Sequence, residues 1–294
     1  MQLIQTLLPL LIQGSLGALV LAVGLDAQVS DVLHLVRRPG LLARAFVAIS
    51  VVVPAVAVLV VQALPISLPS KVGVILMALA PVPPFVPGKA LKLGGHKSYV
   101  YGLYVAFAVL AVLIVPATVA VLNQLYGSSA DVPMDKLAGT VVFSVLLPLI
   151  VGMLIHARWP ERASAAAALV GRIAMILVAI VIIPLLFRAW PAMLAMMGDG
   201  TVLAMVLIIA AGVAAGHVLG GPDLENRMAL AGTAATRHPG IALMIAGASG
   251  FDKRVTAIIL LFVLVSLVVT AIYQAVIKRV VRRQQPTSPP APAR

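Results

Sequence analysis

Two stretches, Ala80-Pro81-Val82-Pro83-Pro84-Phe85-Val86-Pro87-Gly88 and Thr233-Ala234-Ala235-Thr236-Arg237-His238-Pro239-Gly240, decide how this sequence folds. Each lies inside an apolar run of membrane-helix length. Four prolines fall within seven positions of the first. A proline in a helix interior removes a backbone donor and clashes with the preceding turn, at about 3 kcal/mol or more. No continuous helix passes through 81–87. The second stretch carries a charged group, a titratable group and a Pro-Gly step at mid-run. Irregular backbone at membrane depth survives only where it is buried in protein or lines a cavity. Both breaks are therefore expected to point inward, at each other.

The membrane assignment itself rests on composition. The chain has 294 residues, 62% hydrophobic and 10% charged, with a mean hydropathy of +1.13. A soluble domain carries roughly 25% charged residues to keep its surface in water. A bilayer crossing takes about 20 apolar residues, and such runs fall near 4–24, 41–63, 70–93, 98–124, 136–157, 164–186, 201–220, 224–248 and 253–279. The expected fold is an all-α polytopic membrane protein of about nine transmembrane helices, a single unit over 1–283. Its third and eighth helices are broken and crossing. The proline-rich segment 284–294 reads as a disordered tail. The first run lacks a basic flank and a small-residue cleavage site, so it reads as a retained helix and not a signal peptide.

The net charge of +12 does not point to nucleic acid, because the basic residues lie between the apolar runs with no basic-aromatic patch. They set orientation instead. With the N-terminus outside, fourteen Lys and Arg fall on the inner side and five on the outer, while Arg172 and Arg237 lie within runs. The positive-inside rule then gives a cell-membrane protein with the N-terminus out and the C-terminus cytoplasmic. The absence of cysteine excludes disulfides and thiol chemistry. There is no HExxH, no Gly-x-Ser-x-Gly and no phosphate-binding loop, so neither an enzyme nor an ATP-driven pump is expected.

Spacing relates the two breaks. Pro81 and Arg237 are 156 residues apart, and the loops Gly94-Gly-His-Lys97 and Gly250-Phe-Asp-Lys253 share that offset. The runs over 4–124 then correspond to those over 164–279, with 136–157 as connector, and the odd number of crossings between them inverts the repeat. Interrupted helices in matching positions of two halves mark the midplane site of a transporter.

Further residues fit one pattern. Gly24-Leu25-Asp26 leads through Asp31 to Arg37-Arg38-Pro39, Ala80-Pro81 is followed by Gly94-Gly95, and His238-Pro239-Gly240-Ile241-Ala242-Leu243 closes the second break. In these the chain resembles the bile acid:sodium symporter family. That family has an acidic residue before a basic-basic-proline loop, a Cys-Pro-Gly-Gly segment opening one broken helix, and Asn-x-Gly-Leu-Ala at the other. The resemblance runs in helix order over nearly the whole chain. It implies two crossed, interrupted helices beside a substrate cavity, a panel and a core domain, and alternating access. The auxin-carrier-like transporters are similar in architecture.

The departures fall at the ion sites. The family's sodium sites use a Ser-Asn pair after the first break and a Glu before the second, where this chain has Val86, Pro87 and Thr233. All nine acidic residues lie in loops or near helix ends. Sodium binding at those positions is not expected, and no other cofactor or metal is implied. Cations stand there instead: Arg237 and His238 at the second break, Lys89 and Lys92 after the first. Arg237 either pairs with an anionic substrate, replaces sodium as a fixed charge, or bonds carbonyls freed by the break. His238 is a proton carrier or a helix cap. Lys89 and Lys92 meet substrate or extend to the inner surface, and Arg172 does the latter or contacts a neighbour. The candidate crossover site is Pro81, Pro83, Pro84, Pro87, Lys89, Thr233, Thr236, Arg237, His238 and Pro239.

The expected function is a secondary transporter of a small organic anion or amphipathic acid, not using the family's usual sodium sites. Its partners are that small molecule and the lipid bilayer, with the oligomeric state left open. The alternatives are a non-transporting sensor or scaffold on the same fold, and a sodium-coupled symporter with altered ligands.

Overall fold

A backbone in lipid must satisfy its own hydrogen bonds, and apolar runs do so as helices. A computed structural model describes residues 2–92, 94–126 and 134–284. Apart from Gln284, the tail expected over 284–294 lies outside them. The helices are α1 (Gln2–Asp26), α2 (Val29–Val36), α3 (Pro39–Phe46), α4 (Val53–Ala63), α5 (Leu68–Leu79), α6 (Val86–Lys92) and α7 (Lys97–Tyr126). There follow α8 (Met134–Val141), α9 (Leu147–Arg158), α10 (Pro160–Ala195), α11 (Thr201–Leu219), α12 (Leu224–Ala235), α13 (Pro239–Ala248) and α14 (Arg254–Gln284). No strand occurs among the described residues.

Six continuous helical stretches are long and apolar enough to cross a membrane: Pro39–Ala63, Lys97–Leu122, Ala138–Arg158, Pro160–Ala195, Thr201–Leu219 and Arg254–Val280. A seventh is counted when Gln13–Asp26 and Val29–Val36, which meet at 82°, are taken as one. This is a multi-pass membrane protein. The runs at 70–93 and 224–248 are cut into pieces of 12 and 7 residues and of 12 and 10 residues. None of these pieces crosses alone, so length by itself gives six or seven spans where the apolar runs gave nine.

Two of the spans contain π-helical turns, Val47–Val52 between α3 and α4 and Val142–Leu146 between α8 and α9. Each is followed within two residues by a proline, Pro54 or Pro148. A proline denies a helix one N–H and crowds the carbonyl one turn back, and widening the turn relieves that crowding.

The helices pack as two bodies. α1, α9 and α10 pack chiefly on one another and form a three-helix wall. The spans α3–α4, α5–α6, α7, α11, α12–α13 and α14 form the second body. In the wall, a Cβ on Gly152 would stand 2.7 Å from Leu21 O, so glycine is what allows α9 to lie against α1. His156 closes the end of α1, its Nδ1 lying 2.7 Å from Leu25 O. Beside it, Asp26 ties wall to second body, with Lys97 Nζ at 3.3 Å and the Tyr101 hydroxyl donating at 2.5 Å, while Ser164 Oγ of α10 donates to it within the wall at 3.4 Å. At the opposite end, Asp199 clasps two loops together. It accepts from the Ser67 and Thr201 backbone N–H at 3.2 and 3.0 Å and from the Thr201 hydroxyl. These bonds hold its carboxyl below the usual carboxylate range although burial pushes it up.

Candidate functional site

The breaks can be read as a ledger of orphaned carbonyls, because almost every buried backbone group needs a partner. In an α-helix the carbonyl of residue i takes the N–H of residue i+4. For Leu79 and Ala80 those residues are Pro83 and Pro84, which have none. α5 stops at Leu79 for this reason, and the chain resumes as α6 only at Val86. The freed carbonyls are met from outside. Ala80 O accepts from Arg237 Nη1 at 3.4 Å, and Pro81 O accepts from the His238 backbone N–H at 2.9 Å. Leu79 O lies 3.4 Å from Thr118 Oγ1, whose shorter bond is to Ile114 O at 2.8 Å.

The second break repeats the pattern. Pro239 offers Ala235 O no N–H, and that carbonyl accepts from Ser266 Oγ at 2.9 Å. His238 caps α13, its Nδ1 accepting from the Ile241 N–H at 3.3 Å. In a π-helical turn Ile49 O would look to the residue five ahead, which is Pro54. Arg237 Nη2 takes that carbonyl at 2.8 Å. One guanidinium therefore bridges the first break and the π-turn. Its planar fork is what allows two carbonyls to be held at once. Arg237 and His238 are 4% and 3% exposed. Neither described ion pair involves Arg237.

The structure thus brings Pro81, Arg237, His238 and Pro239 together. Pro83, Pro84 and Pro87 are buried in the same break. Thr233 and Thr236 turn their hydroxyl protons back to Ala229 O and Gly232 O, both at 2.7 Å. With Val86, Lys89, Thr270 and Gln274 they line a space of about 20 Å³. His217 is elsewhere, paired with the Tyr273 hydroxyl at 2.8 Å.

The ~20 Å³ space tests whether sodium suits these residues. Sodium needs several oxygens and gains most from a carboxylate, and the walls supply threonine hydroxyls, one amide and the stem of a lysine. Lys89 lines both this space and a larger one that includes Phe85, whose ring centroid lies 5.0 Å from its ammonium. The residues present do not fit the ion.

Two larger cavities lie between wall and second body, on opposite halves of α1. One of about 740 Å³ is lined from α1 by Leu19, Ala22, Val23 and Asp26, and holds Pro84, Pro87 and Lys89 on its far side. The other, of about 350 Å³, is lined from α1 by Gln13, Leu16 and Val20, and holds His238 and Gly240. A third of about 180 Å³ reaches Arg237 between α5, α7 and the first π-turn. The sequence pointed to both breaks but not to Ile49, Ser266, Tyr101 or the cavity place of Arg172. Pro54 was the readable signal for the first of these.

The sequence profile of the Sodium Bile acid symporter family matches residues 15–190. That is more than half of the chain and includes the first break but not the second. No curated protein matches the chain.

Proposed function

This chain belongs to the sodium bile acid symporter family, and we propose on that basis that it carries a small organic anion or amphipathic acid across the membrane by alternating access, without sodium. The carrying observation is the joint between the two breaks, Arg237 to Ala80 and Ile49 and His238 to Pro81, with a cavity on either half of α1. Substrate would enter the ~740 Å³ cavity, beside Pro84, Pro87 and Lys89. Sliding of the wall against the second body then closes that cavity and widens the other. The bonded crossover moves as one piece.

The reading includes nine membrane-embedded segments, with α5–α6 and α12–α13 as the third and eighth, in an inverted repeat. Two regularities support it. α5 and α12 are both 12 residues long, and their first and last residues are each 156 apart. Gly94 and Gly250, at the same offset, both have positive φ, 90° and 62°. Arg237 serves as the fixed cation of the crossover in place of a bound ion. The proposed topology keeps the N-terminus outside, so the ~740 Å³ cavity opens inward.

The test is uptake of a panel of radiolabelled organic acids by vesicles containing the purified protein. Saturable uptake of at least one acid is expected. No uptake of any would favour a sensor or scaffold built on the transporter fold.

A further inference from the structure

The ~740 Å³ cavity has a charge that the transport reading does not use. Lys89 and Lys92 reach it from α6 and Arg172 from α10, on the opposite body. Lys89 and Lys92 are three residues apart on one helix and so share a face. The carboxylate on the cavity wall is Asp26, already matched by Lys97 at 3.3 Å and by the Tyr101 hydroxyl at 2.5 Å. Neither described ion pair involves Lys89, Lys92 or Arg172. The rest of the lining is largely apolar, including Leu19, Val23, Phe85 and Met175. Among the described residues, the ~350 Å³ cavity is lined by no charged side chain, and His238 is the titratable one. Among the described lining residues, positive charge thus belongs to the larger cavity and is divided between the two bodies.

We propose that this cavity selects organic dianions, one anionic group taken by Lys89 and Lys92 and the other by Arg172. The inference rests on the transport reading and adds the class of substrate. A guanidinium takes a carboxylate or phosphate through two parallel bonds, while lysines act as point charges. Apolar walls around the cations strengthen their pull relative to open water. A monoanion satisfies one body and leaves the other body's charge unmatched. A dianion satisfies both and bridges the surfaces that must slide past each other. The volume is in the range of small-molecule sites, about 300–1,000 Å³, so a short apolar chain between two anionic ends fits.

The test is calorimetric titration of the full chain in neutral phosphatidylcholine nanodiscs at fixed ionic strength. The probes are succinate, glycerol 3-phosphate and, as size-matched monoanion, butyrate. The expected result is succinate bound about tenfold tighter than butyrate, the effect of one further hydrogen bond to a charged group. A gain for succinate supports two spaced anionic groups, whereas a gain for glycerol 3-phosphate alone overturns them, because its charge sits on one phosphate. Lys92→Gln and Arg172→Gln should each bring the succinate-to-butyrate ratio to about one. A wild-type ratio near one, or a ratio that both variants leave intact, overturns the proposal. Variants that change only retention of phosphatidylglycerol also overturn it, assigning the cations to lipid headgroups. If the ratio is one and vesicles still take up butyrate, the dianion inference fails and the transport reading stands. If vesicles take up no anion, the transport reading itself fails.

Discussion

Replacing Arg237 by lysine should destabilise this protein at least as much as replacing it by methionine, although lysine keeps the charge. Arg237 holds Ile49 O at 2.8 Å and Ala80 O at 3.4 Å from two arms of one fork. A lysine ammonium is a single point and can take only one of them. It keeps the cost of a buried cation and gives up one charge-assisted bond, about 1.5–3 kcal/mol. Methionine loses both bonds and leaves two carbonyls unpaired, at about 1–3 kcal/mol each. It also removes a charge that costs about 2.5–3.5 kcal/mol at the bilayer centre, so its two effects largely cancel. At about 2–4 °C per kcal/mol for a chain of this size, Arg237→Lys should lower the melting temperature by about 3–12 °C. The assay is thermal unfolding of the purified variants in detergent, followed by uptake per folded molecule in vesicles. Function should divide the other way, with lysine retaining part of the flux and methionine almost none, because the crossover needs its fixed cation. Arg237→Lys melting within about 1 °C of wild type would refute the two-carbonyl bridge. Unchanged flux in Arg237→Met would refute the need for the charge.

Asp26→Asn cuts the tie between wall and second body on the side of the larger cavity, losing the ion pair to Lys97. A half-exposed pair adds about 0–1 kcal/mol, so melting should hardly move while exchange flux rises up to about fivefold. Unaltered flux would show that this tie does not restrain the sliding. Asp199→Asn weakens the clasp between the Ser67 and Thr201 segments and should cost about 1 kcal/mol, as loss of a helix-capping carboxylate does. Because the Asp199 carboxyl is held below its ordinary value, its contribution is present above about pH 4 and lost as pH falls through the lowered value. The melting difference between wild type and variant, followed from pH 7 to pH 3, should therefore close only in acid. A gap that is constant with pH would contradict this.

The prolines made both breaks legible in the sequence. A missing N–H is a local fact that survives any packing. Which group would answer each freed carbonyl was not legible, since Arg237 had three readings and only the positions of Ile49 O and Ala80 O choose its bonds. Pro54 and Pro148 were visible, but the widening of a helix ahead of a proline depends on its neighbours. The sharp bend between α1 and α2 lies at Ala27-Gln28 with no proline to announce it. The facing of Arg172 was hidden for another reason. α10 is apolar nearly all round, so no amphipathic stripe tells which side meets the cavity. In the sequence, Val86, Pro87 and Thr233 stand where the family's sodium ligands were expected. The structure adds that Lys89 shares the same small space.

That shared space gives the account its sharpest exposure to failure. Vesicles loaded with buffer should take up a transported organic acid at the same initial rate from sodium, potassium or choline medium at equal ionic strength. The rates should be equal within about twofold, because Arg237 supplies the crossover with its cation and Lys89 lines the space where an ion would sit. Uptake that requires an inward sodium gradient, and saturates with sodium, would contradict it.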